Sequence, residues 1–271
     1  MPTIDDVRKY WNAHPLFSHE IAQPGTRAFF QQLDWLKQND IERFSMAYWE
    51  FDKCAGKQLL DVGCGPGWLT VQYAKAGARV TAVDLTPRAV ELTKQFLEYE
   101  GLTAEVREGN AEHLPFADES FDVVVSSGVL HHTPDTPRAI RECWRVLRRG
   151  GSAKLTFYYR GILHSRAVFP LTRLAMRIGG VKHPGADMAR DTADVDNFIR
   201  QYDGADNPVG VGHTITGWKE LLEGAGFTVL GSERHFFPRR FLPFQALVPR
   251  AVHHLLDRGL GTMVYFRLKK L

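Results

Sequence analysis

Between Lys57 and Phe157 the chain alternates short apolar runs with amphipathic segments, and this rhythm constrains the fold more than any other feature. It is the signature of consecutive strand-helix-strand units around a parallel sheet. The spacing predicts strands at Lys57 to Val62, Arg79 to Asp84, Thr103 to Glu108, Phe121 to Ser126 and Ala153 to Tyr158. A helix is predicted from Trp68 to Ala76, stopped by Gly77, and a second from Thr86 and Pro87 to near Gly101. A third starts at Thr136 and Pro137 and runs through Trp144 and Leu147 to Gly150 and Gly151. Proline suits the first helical position, and glycine takes the positive φ that follows the last. Parallel crossovers are right-handed, so three such units in a row predict a doubly wound α/β sheet.

Two regions stand outside the rhythm. Residues 1 to 50 read as helices rich in aromatics (Tyr10, Trp11, Phe17, Phe29, Phe30, Trp35), a cap or lid across the domain formed by residues 51 to 271. Residues 160 to about 213 form an insertion after the fifth strand. Within it Ile162 to Ile178 has the pattern of a basic amphipathic helix, and Gly179 to Pro208 is loop-rich, with a helical piece around Val195 to Tyr202. A helix at Thr214 to Ala225 and strands at Phe227 to Phe236 and Gly261 to Leu268 complete seven strands. The basic and apolar stretches Ile162 to Arg177 and Phe236 to Pro249, the latter with Arg239 and Arg240, are expected to cover the sheet. Peripheral contact with a membrane or a greasy ligand is the alternative.

Composition narrows the partners. The balance of 34 basic against 31 acidic residues is too even to point to nucleic acid. Cys54, Cys64 and Cys143 form no CxxC pair and no zinc-type spacing, so no disulfide framework and no metal are expected, and a reducing cytoplasm fits best. No signal-peptide pattern and no run of 18 apolar residues occurs, which predicts neither secretion nor membrane insertion. Nothing in the sequence speaks to oligomeric state.

The segment Leu59 to Gly67, LLDVGCGPG, sits where a strand ends and a helix begins. Glycines there let the backbone approach a ligand, and the helix behind offers unpaired N–H groups. Asp84 ends the second strand, roughly 20 residues on, where a carboxylate grips a ribose. A nicotinamide dinucleotide site shares this layout, but Trp68 occupies the place of its third glycine. Asp61, beside the turn, would repel a pyrophosphate and suits a cationic group.

With these residues in view, the stretch from Lys57 to about Phe157 resembles the class I S-adenosylmethionine-dependent methyltransferases. LLDVGCGPG looks like their cofactor loop, VTAVDLTPRAV their ribose segment, GNAEHLPFADESFDVV their adenine segment and SSGVLHH the stretch after the fourth strand. YWNAHP and DGADNP resemble a small-molecule subgroup of mostly unknown substrate. The resemblance implies a Rossmann-like seven-stranded sheet with an antiparallel last strand and S-adenosylmethionine as cofactor. It implies that Asp61, Gly63, Cys64, Gly65 and Gly67 hold the methionine moiety, Asp84 the ribose and Leu85 the adenine face, with Asn110, Ala111 and Ser127 completing the site. Asn110 stands where many relatives have Asp, and a plain turn residue is its other reading. His131 matches the family's LxH histidine, which implies a catalytic role with Tyr10 as partner; packing beside the cofactor is the alternative. Trp11, His14, His132, Tyr202 and His213 are candidates for touching a small-molecule substrate, with cap packing and turn chemistry as the competing explanations; Asp203 and Asn207 are read chiefly as turn residues. The implied reaction is in-line methyl transfer. A non-catalytic subunit that only binds the cofactor is the other functional reading.

Overall fold

The computed structural model describes residues 2–18, 20–40, 42–179, 194–237 and 248–271. Three helices precede the sheet: α1 (Ile4–Ala13), α2 (Arg27–Asn39) and α3 (Ser45–Trp49). Thr3 and Asp6 cap α1 reciprocally and Thr26 caps α2, each satisfying N–H groups that a helix start leaves without a partner. Then follow β1 (Gln58–Val62), α4 (Trp68–Lys75), β2 (Arg79–Asp84), α5 (Pro87–Tyr99), β3 (Glu105–Glu108), β4 (Phe121–Ser127), α6 (Thr136–Val146) and β5 (Leu147–Tyr159). The remainder contributes α7 (Phe169–Gly179), α8 (Val195–Arg200), β6 (Gly212–His213), α9 (Ile215–Gly224), β7 (Thr228–His235), α10 (Arg250–Leu260) and β8 (Met263–Lys269).

Seven strands pair in the order β3-β2-β1-β4-β5-β8-β7, and the two-residue β6 adds to the end of β5 at Tyr158 and Tyr159. Every pairing is parallel except those of β8, which runs antiparallel to β5 and β7. This is the doubly wound sheet that the strand-helix rhythm predicts, with the antiparallel last strand that the resemblance implies. Side chains alternate along each strand, so β1 sends Leu59 to one core and Leu60 and Val62 to the other. Helices α2 to α5 cover the first face with Phe29, Leu33, Trp49 and Phe96, and α6 and α9 cover the second with Ile140, Cys143, Trp218 and Leu222. The pre-sheet segment is thus no separate body: α2 and α3 are integral to the first core, whereas α1 buries only Val7. No helix among the described residues is long and apolar enough to cross a membrane.

Local differences have local causes. Helix α6 is capped by Asp135 rather than by Thr136, and it ends at Val146 instead of running on to the glycine pair. Leu147 already pairs with Phe121, and the register then jumps to Val123 opposite Ser152. Gly150 and Gly151 therefore lie in an irregularity of β5 pinned to Lys270 by two backbone hydrogen bonds, with Gly150 at φ 74°. The predicted helix at Ile162 breaks into a short 3-10 turn (Ile162–His164) and α7. Pro170 has no N–H to give a helix interior, so it fits only the first turn. No reading of the sequence anticipated α10 or β6. The basic residues Arg239 and Arg240, and residues 180–193 of the loop-rich stretch, lie outside the described residues.

Trp218 anchors the second face: it is fully buried, stacks on Phe157 with centroids 4.2 Å apart, and donates its indole N–H to the Tyr158 carbonyl at 2.8 Å. Trp218→Ala should lower unfolding free energy by about 3 to 5 kcal/mol in urea denaturation. A loss below about 1 kcal/mol would show that this face repacks around the gap.

Candidate functional site

The C-terminal ends of β1, β2 and β4 open into a cavity of about 440 Å³ roofed by α1 and by the segment around Tyr202 to Asp206. After β1 the chain turns back over β2, the N–H groups of Gly63 and Cys64 both donating to the Val83 carbonyl at 2.7 and 3.1 Å. Gly65 has φ 53°, and a Cβ there would meet nothing within 4 Å, so the loop leaves open space on the cavity side. Gly67 serves differently from its expected role. It is absent from the cavity wall, and a Cβ on it would come within 2.9 Å of the Thr93 backbone, so its bareness lets α4 pack on α5.

The other expected cofactor residues line the cavity. Asp61 is buried by the strand alternation that turns it toward α4, where Thr70 donates to its Oδ2 at 2.7 Å. Its Oδ1 has no hydrogen-bond partner among the described residues. Burial raises its pKa to about 7 against the Thr70 bond, with the Asp84 charge adding to the rise. Asp84 receives the N–H of Gly65 at 3.0 Å on one oxygen and the N–H and hydroxyl of Thr86, both at 2.9 Å, on the other. Each carboxylate oxygen has two lone-pair sites, so on the oxygen that Gly65 meets one site remains for a hydroxyl donor. Cys64 lies under the loop with the Thr93 hydroxyl 3.4 Å from its sulfur. Leu85, Ala111 and Ser127 stand along the same wall. Asn110 unites its two readings: it lines the cavity while its Oδ1 accepts the N–H of Glu112 at 2.9 Å in a turn.

The histidines require a correction. His131 does not line the cavity. It is fully buried beside Tyr158 and His132, with neither ring nitrogen in hydrogen-bond geometry. Burial, reinforced by His132, holds its pKa well below the ordinary histidine value, and the Thr156 backbone opposes this only in part. His132 faces the cavity instead. Its Nδ1 lies 2.7 Å from the Val209 carbonyl, which can only accept, and 3.4 Å from the Asn207 amide nitrogen, and the shorter contact favours a proton on Nδ1. Its Nε2 sits 3.2 Å from Asp203 Oδ2, within charge-pair distance but not aligned as a hydrogen bond. The Tyr158 hydroxyl donates to that same Oδ2.

Tyr10 is not the partner of His131. Its hydroxyl donates to the Asp203 carbonyl at 2.6 Å, and burial raises its pKa to about 12. It stacks on His14, while Trp11 meets His132 edge to face at 5.0 Å; all line the cavity. Tyr202 lines it too, bonded to His164 Nε2 at 2.6 Å. His213 does not: it packs edge to face on Trp218 at 4.7 Å. Asn207 is fully buried and braces the insertion, its amide donating to the Arg200 carbonyl at 2.9 Å. Lys37, Glu42 and Tyr158, unmarked by any motif, also line the cavity. Among the described residues no group of three or more His, Cys, Asp or Glu side chains could hold a metal ion.

Residues 60–155 match the family model described as a methyltransferase domain. An uncharacterised protein of Mycobacterium tuberculosis is 40% identical over 97 residues, 36% of this chain and 35% of its own. A ubiquinone biosynthesis O-methyltransferase of Cereibacter sphaeroides is 34% identical over 146 residues, 53% of this chain and 56% of its own. These alignments span between about a third and a little over half of the relatives' lengths. The crystal structure of a protein described as an S-adenosylmethionine-dependent methyltransferase of Methanosarcina mazei superposes with a TM-score of 0.56 at 22% identity, over 86% of this chain and 99% of that one, and shares the fold. Over residues 60–155, about a third of its length, this chain is thus similar to methyltransferase domains, and it shares the fold of a protein described as an S-adenosylmethionine-dependent methyltransferase.

Proposed function

We propose that this chain moves a methyl group from S-adenosylmethionine to a hydroxyl of a small, largely apolar acceptor by in-line displacement. One observation carries the reading: the same cavity is lined by Asp61, whose Oδ1 has no hydrogen-bond partner among the described residues, with the glycine loop, and by His132, Asp203, Tyr10 and Trp11. The cofactor supplies a methyl group already activated on a sulfonium. Asp61 takes its ammonium group, Asp84 its ribose hydroxyls, and Leu85, Asn110, Ala111 and Ser127 its adenine side. The aromatic walls orient the acceptor, and alignment of this kind is worth about 7 to 11 kcal/mol of barrier.

His132 is the group that receives the acceptor's proton. With Nδ1–H tied to the Val209 carbonyl, Nε2 is the basic nitrogen, and the carboxylate of Asp203 stabilises the imidazolium that results. Similarity to a protein named as an O-methyltransferase supports an oxygen nucleophile. Helix α1 acts as the lid expected of the N-terminal segment, tied to the insertion through Tyr10 and keeping water from the reacting centre.

Three outcomes are expected. His132→Ala should lower turnover about 10²- to 10⁴-fold in a radiolabelled methyl-transfer assay while leaving S-adenosylhomocysteine affinity unchanged; wild-type turnover would exclude the base. Deleting residues 1–20 should depress turnover far more than cofactor affinity, and equal losses in both would mark α1 as part of the cofactor site. Below pH about 7 Asp61 carries a proton that an incoming ammonium group must displace. S-adenosylhomocysteine affinity should therefore fall as pH drops from 8 to 6, by at most about tenfold per unit for this one proton. Asp61→Asn should weaken binding and flatten the profile; a pH slope retained in that variant would assign the proton elsewhere.

A further inference from the structure

Lys37, in the last turn of α2, and Glu42, just beyond that helix, form a buried ion pair in the cavity wall, 8% and 4% exposed. Taking two charges out of water is costly, and the mutual attraction of a pair repays it only when the remaining hydrogen-bonding capacity of both groups is used. Here it is not used. Among the described residues Glu42 Oε2 has no hydrogen-bond partner, and neither has Asp61 Oδ1, which lines the same cavity. The Lys37 ammonium stands 5.7 and 5.8 Å from the ring centres of Phe17 and Trp68, and its field reaches Asp61. Three buried charged groups, two at the end of α2 or just beyond it and one from β1, thus line the same cavity with two acceptor oxygens unmet among the described residues.

We propose that Lys37 and Glu42 form, with Asp61, the receptor for the charged amino-acid end of the cofactor, Lys37 taking its carboxylate and the orphaned oxygens of Glu42 and Asp61 its ammonium group. The proposal rests on the cofactor reading above. The charges balance. With Asp61 ionised the three side chains sum to one negative charge, and a carboxylate, an ammonium and a sulfonium sum to one positive charge. The product is a thioether without the sulfonium charge, so the same receptor holds it less well, and Glu42 is the residue that tilts the site toward cofactor over product.

Calorimetric titrations of the full chain with S-adenosylhomocysteine and with 5′-methylthioadenosine, which keeps the nucleoside but lacks the amino-acid end, test this. The double variant Lys37→Met/Glu42→Gln removes both charges at similar volume, a replacement buried pairs tolerate. It should lose about 30-fold or more in S-adenosylhomocysteine affinity, the loss expected for a charge-assisted bond, and bind 5′-methylthioadenosine as the wild type does. Glu42→Gln alone should lower the ratio of S-adenosylmethionine to S-adenosylhomocysteine affinity several-fold. Equal weakening toward both nucleosides would make the pair a structural support and overturn the proposal, as would unchanged binding of both. A wild-type chain that bound neither nucleoside would overturn the cofactor reading itself, and this proposal with it.

Discussion

Everything in the cavity depends on the adjacency of β1 and β4 in a sheet whose chain leaves them in opposite directions. From β1 the crossover through α4 leads outward to β2, and from β4 the crossover through α6 leads the other way to β5. No helix can cover the point of divergence, and the carboxyl ends of the strands there face a crevice. The backbone lines it with N–H groups and bare glycines. Asp61 and Asp84 enter it because strand alternation and strand length place them at its edge. The chemistry is a consequence of topology first and of side-chain choice second.

How much of this is legible in the sequence follows from distance along the chain. Asp61, Gly63, Gly65 and Asp84 belong to consecutive strand-turn-helix units, so spacing alone locates them. Lys37, Glu42, Tyr158 and Asp203 reach the cavity through tertiary packing from α2, the end of β5 and the insertion, and no periodicity relates them to the glycine loop. The two histidines show a finer limit. In the 3-10 turn Leu130–His132 neighbouring side chains point about 120° apart, and tertiary packing against Phe157 and Tyr158 accompanies the inward turn of His131 while His132 faces the cavity. Element boundaries were misplaced where a competing interaction intervened: pairing with Phe121 took Leu147 from α6, and Pro170 confined α7.

The cavity joins two kinds of wall. Around Asp84 the carboxylate is already bonded to backbone N–H groups and to Thr86, a preorganised acceptor that needs little adjustment to meet a hydroxyl. Asp61 and Glu42, by contrast, each retain an oxygen without a hydrogen-bond partner among the described residues. A preorganised wall gives geometry. An unsatisfied wall gives driving force, because the protein alone bears the desolvation of those oxygens until a donor arrives.

The bond from Tyr10 to the Asp203 carbonyl joins residues 193 positions apart in the chain. During synthesis, the parallel strands that bear the crevice can pair as soon as β5 emerges, since β3, β2, β1, β4 and β5 all lie within residues 58–159. The roof of the cavity cannot form then: it needs α1, made at the outset, to wait for a segment made after the fifth strand. A nascent chain therefore gains the crevice at the strand ends well before it gains the roof over it, and until then Trp11 and its neighbours remain apolar surface without a counterpart.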